Sequence, residues 1–238
     1  MKKENEFKRG LKDAIPVCLG YLAVSFAFGI QASEAGLSVF QASLMSLTNV
    51  TSAGQFSSLD LIATNAAYAE MALLQLVVNI RYMLMSTALS QKLSSKESTL
   101  SRCLVAYGVT DEIFALSVMR KGRLKPAYSY GLIICSVFGW VSGTFLGAFA
   151  GEIMPHRLIS ALGLAIYGMF IAIIIPDARK NAALMMVVIG AMAMSTLFTY
   201  MPVLSTISSG FRIIIVTVVI AAAAAILAPK GKEEVVDA

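Results

Sequence analysis

Long stretches of this chain carry no charge at all: Ala14 to Ser33, Ala35 to Leu59, Ala127 to Gly151, Leu158 to Pro176, Asn181 to Tyr200 and Ile213 to Ala228. A helix needs about 20 mostly apolar residues to cross a bilayer core, so these runs are membrane segments, the last only barely long enough. In hydrocarbon every backbone N–H and C=O must be bonded within the protein, which makes helix the form such runs take. Charged residues make up 14% of the chain and apolar ones 58%, against about 25% and 45–50% in soluble domains. The expected fold is an all-α, polytopic integral membrane helical bundle of six to eight membrane segments. It forms one domain over residues 1–238, with a cytoplasmic amino-terminal segment at 1–13 and a cytoplasmic tail at 229–238. The first run is too long for a removable signal peptide and is expected to stay as the first helix.

The net charge of +5 does not point to nucleic acid, because the basic residues lie in short clusters between apolar runs. Lys2, Lys3, Lys8, Arg9 and Lys12 before the first run place it as an outward crossing from a cytoplasmic terminus. Lys92, Lys96 and Arg102, then Arg120, Lys121, Arg123 and Lys125, mark two further cytoplasmic stretches. Parity then creates a conflict. Two inside loops require an even number of crossings between them, yet three apolar segments precede Lys92, the third being Met71 to Ser90. Either one re-enters without crossing or the charge rule is overridden there. Gln41 to Ser58, rich in Ser, Thr, Asn and Gln, is the natural suspect. Cys103 to Met119, flanked by basic residues on both sides, is the other. Irregular backbone at membrane depth is tolerated where protein or water satisfies it, so two such segments would mark a cavity.

Charges inside apolar segments cost about 2.5 to 3.5 kcal/mol each at a helix centre and demand a partner or a role. Arg81, Asp111 and Glu112 qualify, with Asn79 and Thr110 beside them. They either hold helices together as an ion pair or line a path in which an acid handles protons or an ammonium group while Arg81 meets a carboxylate. Asn49, Thr51, Ser52, Ala53, Gly54, Gln55 and Phe56 form the second constellation. Small residues with a glycine let a helix break and expose amide groups of a half-helix amino terminus; a close polar helix contact is the alternative. Gly139, Gly143, Gly147 and Gly151 lie on one helix face, where another backbone can approach. Pro16 and Pro202 suggest kinks or helix ends, and Pro176 a helix stop. His156 falls in an outer turn. Trp140 and Tyr200 suggest packing or interface anchors. Cys18, Cys103 and Cys135 are scattered singly, and there is no nucleotide-binding glycine loop, metal-ligand cluster or set of nucleophile and base. No cofactor is expected, and no enzyme activity.

Phe7, Arg9, Gly10 and Leu11 ahead of Pro16, Gly20 and Phe28-Gly29 are followed by Ala53-Gly54-Gln55-Phe56, Asn79-Ile80-Arg81-Tyr82 and Thr110-Asp111-Glu112 with Phe114. In combination and order these resemble the AzlC family, the large subunits of bacterial branched-chain amino acid exporters. The resemblance implies an inner-membrane permease working with a small hydrophobic AzlD-type subunit and exporting valine, leucine, isoleucine or related compounds. The transport path would be formed by Asn49, Ala53, Gly54, Gln55, Phe56, Asn79, Arg81, Thr110, Asp111 and Glu112, with Phe56, Met83 or Phe114 supplying an apolar pocket. Two other readings stand beside it: a membrane scaffold that moves nothing, and a channel-like pore for a small polar solute.

Overall fold

The computed structural model of the protein describes residues 5–155, 171, 174–176, 178–202 and 204–227. Helix α1 (Glu6–Asp13) is short and charged, and the Asn5 side chain caps it by accepting from Phe7 N at 3.0 Å. The chain turns at Ala14 into α2 (Ile15–Glu34), whose first turn holds Pro16, where a missing N–H leaves no helix bond unmade. Then come α3 (Val39–Thr48), α4 (Ser52–Ala63), α5 (Tyr68–Lys92), α6 (Thr99–Tyr107), α7 (Asp111–Met119) and α8 (Pro126–Ile153). The described carboxyl-terminal part holds α9 (Ala182–Tyr200) and α10 (Ser209–Leu227). No strand occurs among the described residues.

Of these helices α2, α5, α8, α9 and α10 are long and apolar enough to cross a membrane. The chain is a helical polytopic membrane protein. Most of the run from Leu158 to Pro176 lies outside the described residues, as do His156 and the tail at 229–238. Pro176 is helical, as are residues 178–180, and residue 177 between them lies outside the described residues. One sequence expectation needs correction. The last helix begins at Ser209 rather than Ile213, with Arg212 in its first turn, where its Nε donates to the Ile207 carbonyl at 2.6 Å.

Glycine decides how α2 meets α8. The two run parallel: Cys18 lies against Gly139, Leu22 and Ser25 against Gly143, Phe26 against Gly147 and Ser33 against Gly151. A Cβ on Gly147 would fall on the Phe26 carbonyl oxygen, and one on Gly143 on the Ser25 hydroxyl. The stripe therefore puts one backbone directly on another, the contact that small residues permit in lipid. Gly131 and Gly10 extend it to α1.

The bonds of α5 set the direction of everything else. At its carboxyl end Lys92 Nζ donates to the carbonyls of Val118 and Arg120 at 2.6 Å each, and Leu124 N donates to the Lys92 carbonyl. Arg120 and Lys125 reach Glu6 at 2.5 and 3.2 Å. The end of α5, the end of α7, the start of α8 and α1 thus share one face of the molecule, here called the α1 face. The start of α6 is there too, since Arg102 donates to Ser90 Oγ and the Ser94 carbonyl, and Tyr130 to Ser101. Helix α6 enters from the α1 face, the chain breaks at Gly108–Thr110, and α7 returns to the same face.

A mirror arrangement holds at the other end. Helix α3 starts beside the far end of α2 on a capping box, Ser38 and Gln41 each bonding the other's backbone N–H. It descends until Ser46 meets Thr144 at 2.7 Å, and the chain breaks at Asn49–Thr51. Helix α4 then climbs back, so that Leu59 packs with Phe28, Ala32, Ala42 and Ala148, and Leu61 lies by Gly210. The far end of α5 is held there by Glu70, which accepts from Phe211 N at the amino terminus of α10. Both suspect segments are therefore re-entrant hairpins, from opposite faces. Helices of 9 to 12 residues rise about 14 to 18 Å, half of a 30 Å core. The parity conflict disappears: α2 and α5 are the two crossings before Lys92.

Two outcomes test this packing. Gly147→Ala should lower stability in detergent by about 1 to 3 kcal/mol through backbone overpacking, read as a drop in melting temperature. The Glu6 clip should also be pH-sensitive. The bond from Lys125 holds the Glu6 carboxyl below its ordinary value, with Arg120 and Arg9 adding to it against a desolvation penalty. A depressed pKa stabilises above the unfolded value and the gain is lost as pH falls through the folded one. Proteolysis of the amino terminus should therefore rise at acid pH in the native chain, and Glu6→Gln should remove that dependence.

Candidate functional site

The two hairpin tips meet halfway along α8. Tyr107, the last residue of α6, donates its hydroxyl to the Leu47 carbonyl near the end of α3. Each second half-helix then starts on a threonine cap: Thr51 Oγ1 accepts from Gly54 N at 3.3 Å and Thr110 Oγ1 from Ile113 N at 3.4 Å. These caps satisfy amide groups that would otherwise be orphaned at a depth without water.

Between the tips lies a small pocket lined by Tyr21, Val50, Ser52, Tyr82, Thr110, Asp111, Glu112 and Trp140. The space open to the centre of a water molecule is about 30 Å³, room for a water or two. A solute as large as an amino acid requires the walls to part. On one wall the Tyr21 phenol, with a single proton to give, lies 2.5 Å from Glu112 Oε2 and 2.7 Å from Thr110 Oγ1. The Tyr21 ring meets Trp140 edge to face at 5.3 Å. On the other, Arg81 Nη1 pairs with Asp111 Oδ2 at 2.8 Å, and its guanidinium lies over the Tyr82 ring. Asp111 and Glu112 occupy the first turn of α7, where a helix amino terminus favours negative charge. Arg81 and Asp111 keep 44% and 43% of their side-chain surface exposed, so the pair is accessible within the depth of the fold.

The expected path residues divide. Thr110, Asp111 and Glu112 line the pocket, with Arg81 reaching it through Asp111. Gln55 does not. It is fully buried, donating from Nε2 to Ser46 Oγ at 2.9 Å and accepting from Trp140 Nε1 at 2.7 Å. Its amide ties α3, α4 and α8 together. Asn79 accepts from Thr51 Oγ1 at 2.7 Å and donates to Gln75 Oε1 at 2.8 Å, while Gln75 donates to the Gly54 carbonyl and Ser58. A Cβ on Gly54 would strike Gln75 and Asn79, so this glycine is the opening through which α5 reaches α4. Asn49 and Ala53 flank the break without lining the pocket. Phe56 packs on Phe28 at 5.4 Å, Met83 points outward, and Phe114 packs on the core, so none of the three forms an apolar pocket here.

Ser52, named in the sequence with the helix break, also lines the pocket, and sequence reasoning missed Tyr21, Val50, Tyr82 and Trp140 as lining groups. The signal for Tyr21 and Trp140 was a polar atom midway along an apolar run, since a buried phenol or indole N–H needs a partner. Among the described residues no cluster of His, Cys, Asp and Glu is arranged to hold a metal ion. Trp140→Phe removes the indole donor on Gln55 Oε1 and, among the described residues, leaves that buried acceptor unpaired, which should cost about 1 to 3 kcal/mol. Gln55→Leu in the same background should recover part of that loss in a double-mutant stability cycle.

Comparison with known proteins gives the same answer as the motifs. A family profile described as AzlC protein matches residues 16–154, the stretch holding both hairpins and the pocket. An uncharacterized membrane protein of Archaeoglobus fulgidus is 30% identical over 197 residues, 82% of this chain and 86% of its own length. The inner membrane protein YgaZ of Escherichia coli is 28% identical over 202 residues, 81% and 82% of the two chains. A membrane protein of Helicobacter pylori is 24% identical over 186 residues, 74% and 79%. No solved structure matches. With the profile covering more than half of its length and a relative at 30% identity across most of both chains, this chain belongs to the AzlC family.

Proposed function

We propose that the chain is a secondary transporter that exports branched-chain amino acids across the inner membrane together with a small AzlD-type subunit. The observation that carries the reading is the pocket between two opposed hairpin tips, with charges of both signs at membrane depth. A free amino acid is a zwitterion. Its ammonium group suits Asp111 and Glu112, and its carboxylate suits Arg81 and the amide groups at the start of α4. Opening the pocket exchanges the Arg81–Asp111 pair for pairs with substrate, so neither charge is left bare in a site where an unpaired ion costs several kcal/mol. A scaffold has no use for such a site. A permanently open pore does not fit a pocket closed to all but water.

The preference for valine, leucine and isoleucine comes from the family resemblance; the polar pocket supports the amino-acid part of the reading. The half-exposed Arg81–Asp111 pair and the largely uncovered α5 support a second subunit packed on that side. The basic residues Lys92, Arg102, Arg120 and Lys125 on the α1 face support a cytoplasmic placing of that face and of the amino terminus by the positive-inside rule, and Lys230 and Lys232 in the sequence support the same for the tail.

Reconstitution with the small subunit in liposomes tests this. Preloaded leucine or valine should leave faster than from vesicles holding either subunit alone, and should leave against a gradient when a proton gradient is applied. Asp111→Asn should reduce export by about tenfold, the equivalent of 1.4 kcal/mol, while the protein stays in the membrane at its normal level. Flux equal to that of empty vesicles sinks the transporter reading. Saturable flux of another amino acid with none of leucine would retain transport and remove the substrate assignment.

A further inference from the structure

The two hairpins resemble one another beyond their shape. Each is preceded by a crossing helix: α2 before α3–α4, and α5 before α6–α7. Each first half-helix is capped by a serine, Ser38 or Ser98, and each second by a threonine preceded by valine, Val50-Thr51 or Val109-Thr110. The crossing helices end at Glu34 and Lys92. All these features recur at an offset of about 59 residues. The bonds follow the same relation. Tyr21 of α2 reaches Thr110, the cap in the other unit's hairpin, and Asn79 of α5 reaches Thr51, again the cap in the other unit's hairpin, both at 2.7 Å. Tyr21 and Asn79 stand the same number of residues before the last residue of their helices. The units run in opposite senses, one from the α1 face and one toward it.

We propose that residues 15–63 and 68–119 are inverted repeats of one helix-plus-hairpin unit, and that the Tyr21–Thr110 and Asn79–Thr51 bonds are equivalent latches that open alternately. The inference rests on the transport reading for its purpose but not for its geometry. Hairpin α3–α4 fills the route from the far face to the pocket, and α6–α7 fills the route from the α1 face. Parting Thr51 from Asn79 frees the first tip and exposes the pocket to the far side; parting Thr110 from Tyr21 frees the second and exposes it to the α1 side. Inverted repeats supply two such states of similar energy from one kind of unit, which is what alternating access needs. Tyr21 and Asn79 are in this sense positioning residues, acting on the tips.

The test is accessibility and needs no substrate. In a chain with Cys18, Cys103 and Cys135 replaced by alanine, Ser52→Cys places one thiol on the pocket wall. A membrane-impermeant maleimide is applied to vesicles of either orientation. Losing one hydrogen bond shifts a population on the order of threefold to tenfold, and Asn79→Leu and Tyr21→Phe, which also release Gln75 and Glu112, shift it by at least that much. Asn79→Leu should therefore raise labelling from the far face by at least that factor and lower it from the α1 face, and Tyr21→Phe should do the reverse. Thr51→Val and Thr110→Val cut the same latches from the other side and should give the same directions if either first variant fails to insert. Labelling that rises from the same face in both variants, or in neither, overturns the latches. Labelling that switches as expected in a chain that moves no amino acid upholds the repeat and removes the transport reading; unchanged labelling with intact export removes the latches alone.

Discussion

Everything in this fold follows from the cost of ending a helix in the middle of a membrane. Where a helix stops, four N–H or four C=O groups lose their partners, and at membrane depth water does not replace them. This chain ends helices there at Thr48 and Tyr107 and restarts them at Ser52 and Asp111. Thr51 and Thr110 cap the restarts, and the tips lean on α8, which supplies Trp140 and Thr144 as bonding groups. The glycine stripe on α8 gives that helix its second function. By drawing α2 into backbone contact, it sets Tyr21 beside Trp140 and within reach of Thr110. A bulkier α8 would hold α2 away, and the phenol that bonds the tip would fall short of it.

Charge counting in the sequence found the hairpins because re-entry leaves a trace that composition alone does not. A segment that returns to its own side has the same flanks at both ends, and parity fails by one. The basic flanks of 103–119 and the polar run from Gln41 to Ser58 carried that information directly. Arg81, Asp111 and Glu112 were equally visible, since an ion in an apolar run is expensive enough to need a reason. Gln55 shows what such reasoning lacks. Its polarity was read correctly and its direction was not: a helix presents each side chain to one bearing only, and whether that bearing holds a cavity or Trp140 is decided by residues far along the chain. Trp140 was obscured for the converse reason, because an indole in a membrane protein has an ordinary use at the interface. Tyr21 and Tyr82 are ordinary aromatic residues until the partner hairpin is placed. Met83 fits an apolar pocket by type, yet lies on the outer surface of α5.

The two hairpins share a plan and differ in chemistry. Around α3–α4 the bonding groups are neutral and mostly buried, and they form two sets: Ser46, Gln55 and Thr144 tie α3 and α4 to α8, and Thr51, Ser58, Gln75 and Asn79 tie α4 to α5. Around the tip of α6–α7 they are Arg81, Asp111 and Glu112 with the Tyr21 phenol, partly exposed to the pocket. Neutral amide and hydroxyl bonds are short-ranged and directional, so they hold one geometry well and respond little to a neighbouring ion. Charges act over longer distances and exchange partners readily when a second ion arrives. In the repeat proposed above, one copy is thus held by neutral bonds and the other carries the ions. On the proposed transport reading, a substrate ammonium group would compete first for Asp111, at the tip of the hairpin that enters from the α1 face, while the neutral bonds of the far hairpin offer an ion no such exchange.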